Sequence, residues 1–184
     1  MRVVGGELRG RPLKAPRSRD VRPTADRLRG ALFDILAHAY GRPREGERVV
    51  DLFAGTGALA VEALSRGAGE AILVDAGSEA QELIAGNLAS LGLAGRARLL
   101  RRDARRLGPA PEGFSCGLAF LDPPYGRGLA SPALRALLEG GWLAEDALVV
   151  IEESARGEIV LPPGLAALET RRYGDAQVLF ARRS

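Results

Sequence analysis

Short, continuously apolar runs alternate with longer amphipathic stretches through most of the chain. The runs with strand character lie at 48–53, 70–75, 97–104, 116–122 and 147–153. The stretches with helical spacing of apolar residues lie between them, at 57–68, 78–92 and 131–141. Apolar strands that are separated by helices are typical of a parallel sheet covered on both faces. The pattern therefore predicts an α/β, Rossmann-like fold.

The two ends of the chain follow a different plan. Residues 165–183 predict two strands joined by a Gly-Asp turn, which is the signal of an antiparallel hairpin. Residues 2–16 predict a small β-hairpin or extended arm, and residues 21–40 predict a helix with Thr24 as its N-cap. We therefore expect a mostly parallel, seven-stranded sheet that closes with an antiparallel hairpin and carries a small N-terminal hairpin arm.

Composition narrows the class of protein. The chain has 184 residues, of which 46% are apolar and 27% charged, as is ordinary for one soluble globular domain. No apolar run approaches the ~20 residues that a membrane-spanning helix needs. The single cysteine, Cys116, rules out an internal disulfide, and the single histidine, His38, argues against a metal site or a histidine-dependent triad. We expect a cytoplasmic, monomeric protein that uses no metal and no membrane.

Positive charge is concentrated at the N-terminus. Residues 1–29 carry nine arginine and lysine side chains against three acidic ones, a net charge of +6, so the other residues carry −3. Clustered cations can neutralise the backbone phosphates of nucleic acid, but composition alone is equally compatible with a solvated terminus. The expected division is a basic arm over residues 1–22 and a main domain over residues 23–184.

A glycine-rich loop follows the first strand of the predicted sheet. Gly55 and Gly57 allow positive φ and let a ligand lie against the backbone. Together with Ala60 they also fit the dinucleotide pattern G-x-G-x-x-A. The alternative is that the glycines only permit a tight turn.

Three carboxylates stand near the ends of the first three strands. Asp75 is placed to accept hydrogen bonds from two ribose hydroxyls, Asp103 to meet an adenine amino group, and Asp51 to hold a methionine amino group or the loop itself. Open α/β sheets bind ligands at the carboxyl ends of their strands, so the three acids favour a nucleoside cofactor over unrelated surface residues. An NAD enzyme needs a second catalytic domain, for which no residues remain, whereas S-adenosylmethionine needs only this sheet.

The segment GLAFLDPPYGRG runs an apolar strand into Asp122, two prolines and Tyr125. Prolines cannot continue a sheet ladder, so the strand ends at the acid. Asp-Pro-Pro-Tyr fits the [D/N]-P-P-[Y/F] signature of methyltransferases that act on planar exocyclic nitrogens. The lone pair of such an amine is delocalised, so Asp122 and the Pro123 carbonyl would hold the amine hydrogens while the tyrosine ring stacks on the base. A rigid turn without chemistry is the alternative.

Six segments cover nearly the full length of the chain: VVGGELRGRPL, RPTADRLRGALFDIL, DLFAGTGALAVEALSRGA, NLASLGL, FLDPPYGRG and GWLAEDALVVIE. In this order they resemble the bacterial RsmD-type 16S ribosomal RNA guanine-N2 methyltransferases. The resemblance implies methylation of the N2 amine of guanine 966 in small-subunit rRNA, on a partly assembled 30S subunit, with the basic arm in contact with RNA. Two positions depart from the family's pattern, because Gly30 replaces an acid and Asp75 replaces the commoner glutamate.

Three sets of site residues are expected. The catalytic set is Asp122, Pro123, Pro124 and Tyr125. The set that binds S-adenosylmethionine is Thr24, Asp51, Phe53, Ala54, Gly55, Gly57, Asp75, Asp103 and Ala104. The set that binds RNA is Arg2, Arg9, Arg11, Lys14, Arg22 and Arg27.

Two alternative functions fit the same motifs less well. A DNA or protein-glutamine amino-methyltransferase keeps the chemistry, but DNA enzymes of this class usually carry a separate recognition domain, and glutamine methylators favour asparagine at the position of Asp122. A non-catalytic RNA-binding assembly factor would not need the acids and glycines of the predicted cofactor site.

Overall fold

The computed structural model describes residues 1–17 and 25–184. The strands are β1 (Arg48–Leu52), β2 (Glu70–Val74), β3 (Ala97–Leu100), β4 (Cys116–Leu121), β5 (Leu143–Ser154), β6 (Leu165–Tyr173) and β7 (Ala176–Arg183). The helices are α1 (Asp26–Tyr40), α2 (Ala58–Ser65), α3 (Ser78–Ser90) and α4 (Ala130–Glu139), with a short 3-10 turn at Ala104–Arg106. Strand and helix therefore alternate from β1 to β5, as the apolar pattern predicts.

All seven strands form one sheet in the order β3-β2-β1-β4-β5-β7-β6. β1 pairs in parallel with both β2 and β4, so the direction of winding reverses beside β1. β7 runs antiparallel to β5 and β6, and Gly174, at a φ of 58°, lies in the tight turn between the last two strands. The expected Rossmann-like, mostly parallel sheet with a C-terminal hairpin is confirmed.

Each face of the sheet is covered by its own hydrophobic core. Alternate residues of β1 belong to opposite cores, because successive side chains of a strand point to opposite faces. Val49 belongs to the core that includes side chains of α1, α2 and α3, whereas Val50 belongs to the core that includes side chains of α4 and the fully buried Trp142. This double covering explains why the central strands are apolar throughout.

The N-terminal residues form a hairpin that packs on the first of these cores. Arg2 and Pro12 make an antiparallel bridge, and the Leu13 N–H donates to the Met1 carbonyl at 3.0 Å. Val3 and Leu13 are buried among side chains of α1, α2 and α3. The hairpin is therefore docked on the sheet domain through its apolar side, with its arginine side chains on the outside.

A buried cluster of charges fixes the hairpin and α1 to α2. The fully buried Glu62 carboxylate accepts hydrogen bonds from the Val4 and Gly5 N–H groups at 2.9 and 2.7 Å. It also pairs with the guanidinium groups of Arg29 at 3.3 Å and Arg66 at 2.9 Å. A buried carboxylate needs such partners to offset its loss of hydration. The charge of Arg29 is therefore neutralised inside the protein rather than displayed on the basic surface.

The helix α1 begins at Asp26, and the residue in its N-cap position is Ala25. The predicted N-cap, Thr24, lies outside the described residues. The buried residues of the helix are Arg29, Leu32, Phe33 and Leu36. In the described part of the chain, no helix combines the length and apolar character needed to cross a membrane.

Candidate active site

A cavity of about 450 Å³ opens at the carboxyl ends of β1, β2 and β4. Its lining comes from the end of β1 and from the segments that follow the three strands, within residues 51–59, 75–80 and 122–125. The cavity lies where the sheet reverses its winding, which is the usual ligand site of open α/β sheets. Of the predicted residues, it brings together Asp51, Phe53, Ala54, Gly55, Asp75, Asp122, Pro123, Pro124 and Tyr125.

The glycine loop wraps one side of this cavity with its backbone. After β1 ends at Leu52, Phe53 and Gly55 adopt positive φ values of 57° and 59°. A left-handed conformation is costly for a residue with a side chain, such as Phe53, and strained conformations of this kind cluster at functional sites. The Gly55 N–H donates to the Asp75 carboxylate at 2.9 Å, which holds the loop against the end of β2.

Gly57 faces the core rather than the cavity. A Cβ atom added to it would lie 2.9 Å from Leu73 Cδ2 and 3.5 Å from Ile84 Cγ1, at a φ of +79°. Gly57 is not among the residues that line the cavity, and the structure gives it a packing role, since it lets α2 lie close to the sheet.

We expect Gly57→Val to lower the free energy of unfolding by about 2–4 kcal/mol, from overpacking and left-handed strain together. Gly92→Val is the matched control, because Gly92 has a φ of +70° and open space at its Cβ position. Chemical denaturation should show the larger loss for Gly57→Val. Equal losses would mean that the contact with Leu73 is unimportant.

Asp51 is a buried acid among the residues that line the cavity. The residue is 1% exposed, and its Oδ2 accepts from the Ala60 N–H at 3.1 Å. Its Oδ1 has no hydrogen-bond partner among the described residues. Burial, together with the charges of Asp122 and Asp75, raises the pKa of Asp51 well above its usual range, against the opposing effect of the Ala60 N–H. A cationic group in the cavity would satisfy the oxygen and favour the ionised carboxylate.

Asp75 is held by the backbone of two loops. Its Oδ2 accepts from the Gly55 N–H, and its Oδ1 accepts from the Gly77 N–H at 2.8 Å. A carboxylate has about four acceptor positions, so two remain for further donors. The short aspartate side chain is thus fixed in place and still able to bind hydroxyl groups.

Asp103 and Ala104 lie outside the cavity lining. The Asp103 carboxylate caps the 3-10 turn by accepting from the Arg105 N–H at 2.8 Å, and it pairs with the Arg105 guanidinium at 2.7 Å. Hydrogen bonds from Arg105 hold the pKa of Asp103 below its usual range. Ala104 is buried in the core on the α4 side of the sheet. An adenine amino group would therefore have to compete with Arg105 for the Asp103 carboxylate. Thr24, the remaining member of the predicted set, lies outside the described residues.

The segment after β4 is fixed by two buried acids at the end of β5. The Tyr125 hydroxyl donates to Glu152 at 2.5 Å, and the Gly126 N–H donates to Glu153 at 3.1 Å. Asp122 continues the ladder beyond β4, because its N–H donates to the Leu52 carbonyl at 3.4 Å. The two glutamates are not among the site residues expected from the sequence. The sequence did indicate them, because acidic residues at the end of an apolar strand are usually paired with another group when they are buried.

Residues 11–17, called the N-terminal segment below, lead from the hairpin along α3 to the cavity. The Arg11 guanidinium donates to the Ser90 carbonyl at 3.0 Å, and the Arg17 N–H donates to Glu79, a cavity-lining residue, at 2.7 Å. The predicted RNA-binding side chains at positions 2, 9, 11, 14 and 27 are exposed. Arg22 lies outside the described residues.

Comparison with known proteins places these features in a family. A family model described as "Conserved hypothetical protein 95" matches residues 1–182. "Ribosomal RNA small subunit methyltransferase D" of Escherichia coli K12 is 37% identical over 163 residues, which cover 89% of this chain and 79% of that protein. "Putative rRNA methyltransferase YlbH" of Bacillus subtilis is 36% identical over 174 residues, which cover 94% of this chain and 91% of that protein. The chain belongs to this family of RsmD-type class I methyltransferases.

Solved structures agree with membership of the RsmD-type family. A structure titled "Putative methyltransferase yhhF from Escherichia coli" matches with a TM-score of 0.84 at 34% identity, covering 100% of this chain and 97% of that chain. A hypothetical protein of Thermus thermophilus matches with a TM-score of 0.75 at 34% identity, covering 98% of both chains. The RsmD-type resemblance of the sequence motifs is confirmed.

Proposed function

We propose that this RsmD-type methyltransferase transfers a methyl group from S-adenosylmethionine to the exocyclic N2 amine of guanine 966 in 16S rRNA. The observation that carries the proposal is that the Asp122-Pro123-Pro124-Tyr125 segment and the buried Asp51 line one cavity. The names of the relatives support an rRNA substrate. The family resemblance supports the choice of nucleotide, the small subunit as its carrier and the cytoplasm as its location.

The cavity suits the proposed methyl donor. The Asp51 oxygen that has no partner among the described residues would accept from the ammonium group of the methionine moiety, a cation that offsets the cost of ionising a buried acid. Asp75 has acceptor capacity left for the ribose hydroxyls. The positive-φ loop at Gly55 gives the ligand a surface of backbone. Each of these residues fits the donor for a separate chemical reason.

The residues after β4 would prepare the amine. When bound, S-adenosylmethionine supplies a methyl group whose bond to sulfur breaks, leaving its electron pair on sulfur, as the N2 lone pair forms the new bond to carbon. The Asp122 carboxylate and the Pro123 carbonyl would accept the two amine hydrogens and localise the lone pair. Asp122 would then take one proton from the cationic nitrogen. Tyr125 would stack on the guanine, with its ring held in place through Glu152.

The donor is tested by calorimetry with S-adenosylhomocysteine and NAD. Asp75, Glu79 and Asp122 line the cavity beside the buried Asp51, so it should reject the anionic pyrophosphate of NAD. We expect S-adenosylhomocysteine to bind and NAD to give no measurable heat. Tighter binding of NAD would overturn the proposed cofactor.

The RNA contact is tested by removing charge along the hairpin and the N-terminal segment. In the triple variant Arg9→Ala, Arg11→Ala, Lys14→Ala, we expect weaker binding of rRNA fragments and a log-log salt slope that is smaller by about 0.7–0.9 per lost phosphate contact. Arg135→Ala is the control, because Arg135 is exposed on α4, which covers the opposite face of the sheet. A triple variant with the slope of the wild type would mean that the segment is only a solvated terminus.

A further inference from the structure

A buried asparagine joins the N-terminal segment to the glycine loop. Asn87 lies on α3 and is 1% exposed. Its Nδ2 donates to the Thr56 carbonyl at 2.9 Å, and its Oδ1 accepts from the Lys14 N–H at 2.8 Å. One amide group thus connects the backbone of a loop that lines the cavity with the backbone of a segment 42 residues earlier in the chain.

The direction of this amide is fixed by its partners. The Thr56 carbonyl can only accept, and the Lys14 N–H can only donate, so exchanging the nitrogen and oxygen of Asn87 would break both hydrogen bonds. Because the Asn87 side chain is buried, leaving either end of its amide without a partner carries a desolvation cost. The position of Thr56 in the loop therefore depends on Asn87, and the orientation of Asn87 depends on Lys14.

Neighbouring contacts hold the segment in the same place. Leu13 is buried in the core beside α3, and the Arg11 guanidinium binds the last turn of that helix through Ser90. Farther along, the Arg17 N–H binds Glu79, which lines the cavity. The segment therefore reaches the cavity at two points, indirectly through Asn87 and directly at Glu79.

We propose that Asn87 is a positioning residue for cofactor binding and that the N-terminal segment, through the Lys14 N–H, is part of the support of the cofactor site. The inference rests on the proposed use of S-adenosylmethionine. It gives the segment a second role beside its contact with RNA, and it makes cofactor affinity dependent on the segment even when no RNA is present. In this proposal the backbone N–H of Lys14 supports the cofactor site through Asn87, whereas the Lys14 side chain contacts RNA.

The test separates the two roles at one position. Lys14→Pro removes the N–H and the side chain, whereas Lys14→Ala removes only the side chain. We expect calorimetry without RNA to show S-adenosylhomocysteine binding about 10-fold weaker to Lys14→Pro and unchanged within about 2-fold for Lys14→Ala. Both variants should bind RNA more weakly. Equal cofactor affinity in both variants would overturn the inference.

Asn87→Ala provides a second, independent variant, with Glu82→Ala at an exposed position of the same helix as its control. We expect about 10-fold weaker cofactor binding for Asn87→Ala alone. Because Asn87→Ala and Lys14→Pro break the same connection, the double variant should lose no more cofactor affinity than the more affected single variant. Additive losses would mean that Lys14 does not act through Asn87. If Lys14→Pro does not fold, a cofactor affinity of Asn87→Ala within about 2-fold of the wild type overturns the inference by itself.

The outcomes distinguish this inference from the proposed function. A wild-type protein that does not bind S-adenosylhomocysteine would contradict the proposed cofactor, and the inference with it. Normal binding by the wild type that none of the variants changes would contradict the inference alone. A fall in unfolding temperature without a change in cofactor affinity would likewise show that Asn87 has only a structural role.

Discussion

Asp122→Ala is expected to lower kcat by about 10²-fold or more while leaving the affinity for S-adenosylhomocysteine nearly unchanged. The reason is that Asp122 is proposed to hold and then deprotonate the target amine, whereas the cofactor is proposed to be held by residues at the ends of β1 and β2. Single-turnover methyl transfer and calorimetry on the same preparation measure the two effects.

Asp122→Asn is the matched variant, because asparagine keeps an acceptor for an amine hydrogen but cannot take the proton. We expect its kcat to lie between those of the wild type and Asp122→Ala. Activity of Asp122→Ala within a few-fold of the wild type would show that the segment is a rigid turn without a catalytic acid.

Asp51→Asn is expected to weaken cofactor binding by about 100-fold, since a neutral amide cannot form a charge-assisted hydrogen bond with the ammonium group. Binding by the wild type should also release a proton, because the cation shifts the buried carboxyl towards its ionised form. Calorimetry in buffers of different ionisation enthalpy measures that proton. A variant that binds as tightly as the wild type would remove Asp51 from the cofactor site.

The same substitution has an effect on stability whose sign follows from the raised pKa of Asp51. In the unfolded chain an aspartate titrates near ~3.9, so above that pH the folded protein holds a proton that the unfolded chain has lost. The stability from this group is complete below the unfolded pKa, and it is lost as the pH rises through the folded pKa. The loss is about 1.4 kcal/mol per pH unit within that window.

Asparagine does not titrate, so the stability of Asp51→Asn relative to the wild type should increase as the pH rises above ~4. Urea denaturation of the cofactor-free proteins at several pH values measures this difference. A difference that is constant with pH would mean that burial does not raise the pKa of Asp51.

Much of the fold could be predicted from local patterns. The central strands are apolar on both faces, which distinguishes a covered parallel sheet from a half-exposed one. Gly174 and Asp175 mark the last hairpin, and the prolines after Asp122 mark the end of β4. These signals are local, because each depends on the conformation of a few adjacent residues.

The features that could not be predicted depend on contacts between distant segments. Arg29 looks like a member of the basic N-terminus until Glu62 of α2 is brought beside it. Asp103 lies near the end of the predicted third strand as a cofactor ligand would, but β3 ends at Leu100 and Arg105 engages the Asp103 carboxylate. Gly57 matches a ligand-binding pattern, yet Leu73 of the next strand explains why a glycine is required there. The sequence shows that a charged residue or a glycine is present at these positions. Only the fold shows which neighbouring residue requires it there.

The central claim is tested most directly by methyl transfer from labelled S-adenosylmethionine to 30S particles that lack the modification, followed by nucleoside analysis of the 16S rRNA. We expect the label in N2-methylguanosine at position 966, and we expect none when Asp122→Ala is used for the same short reaction time. Label in methyladenosine, in DNA or in protein, or wild-type protein that transfers no methyl group to the particles, would contradict the proposed function.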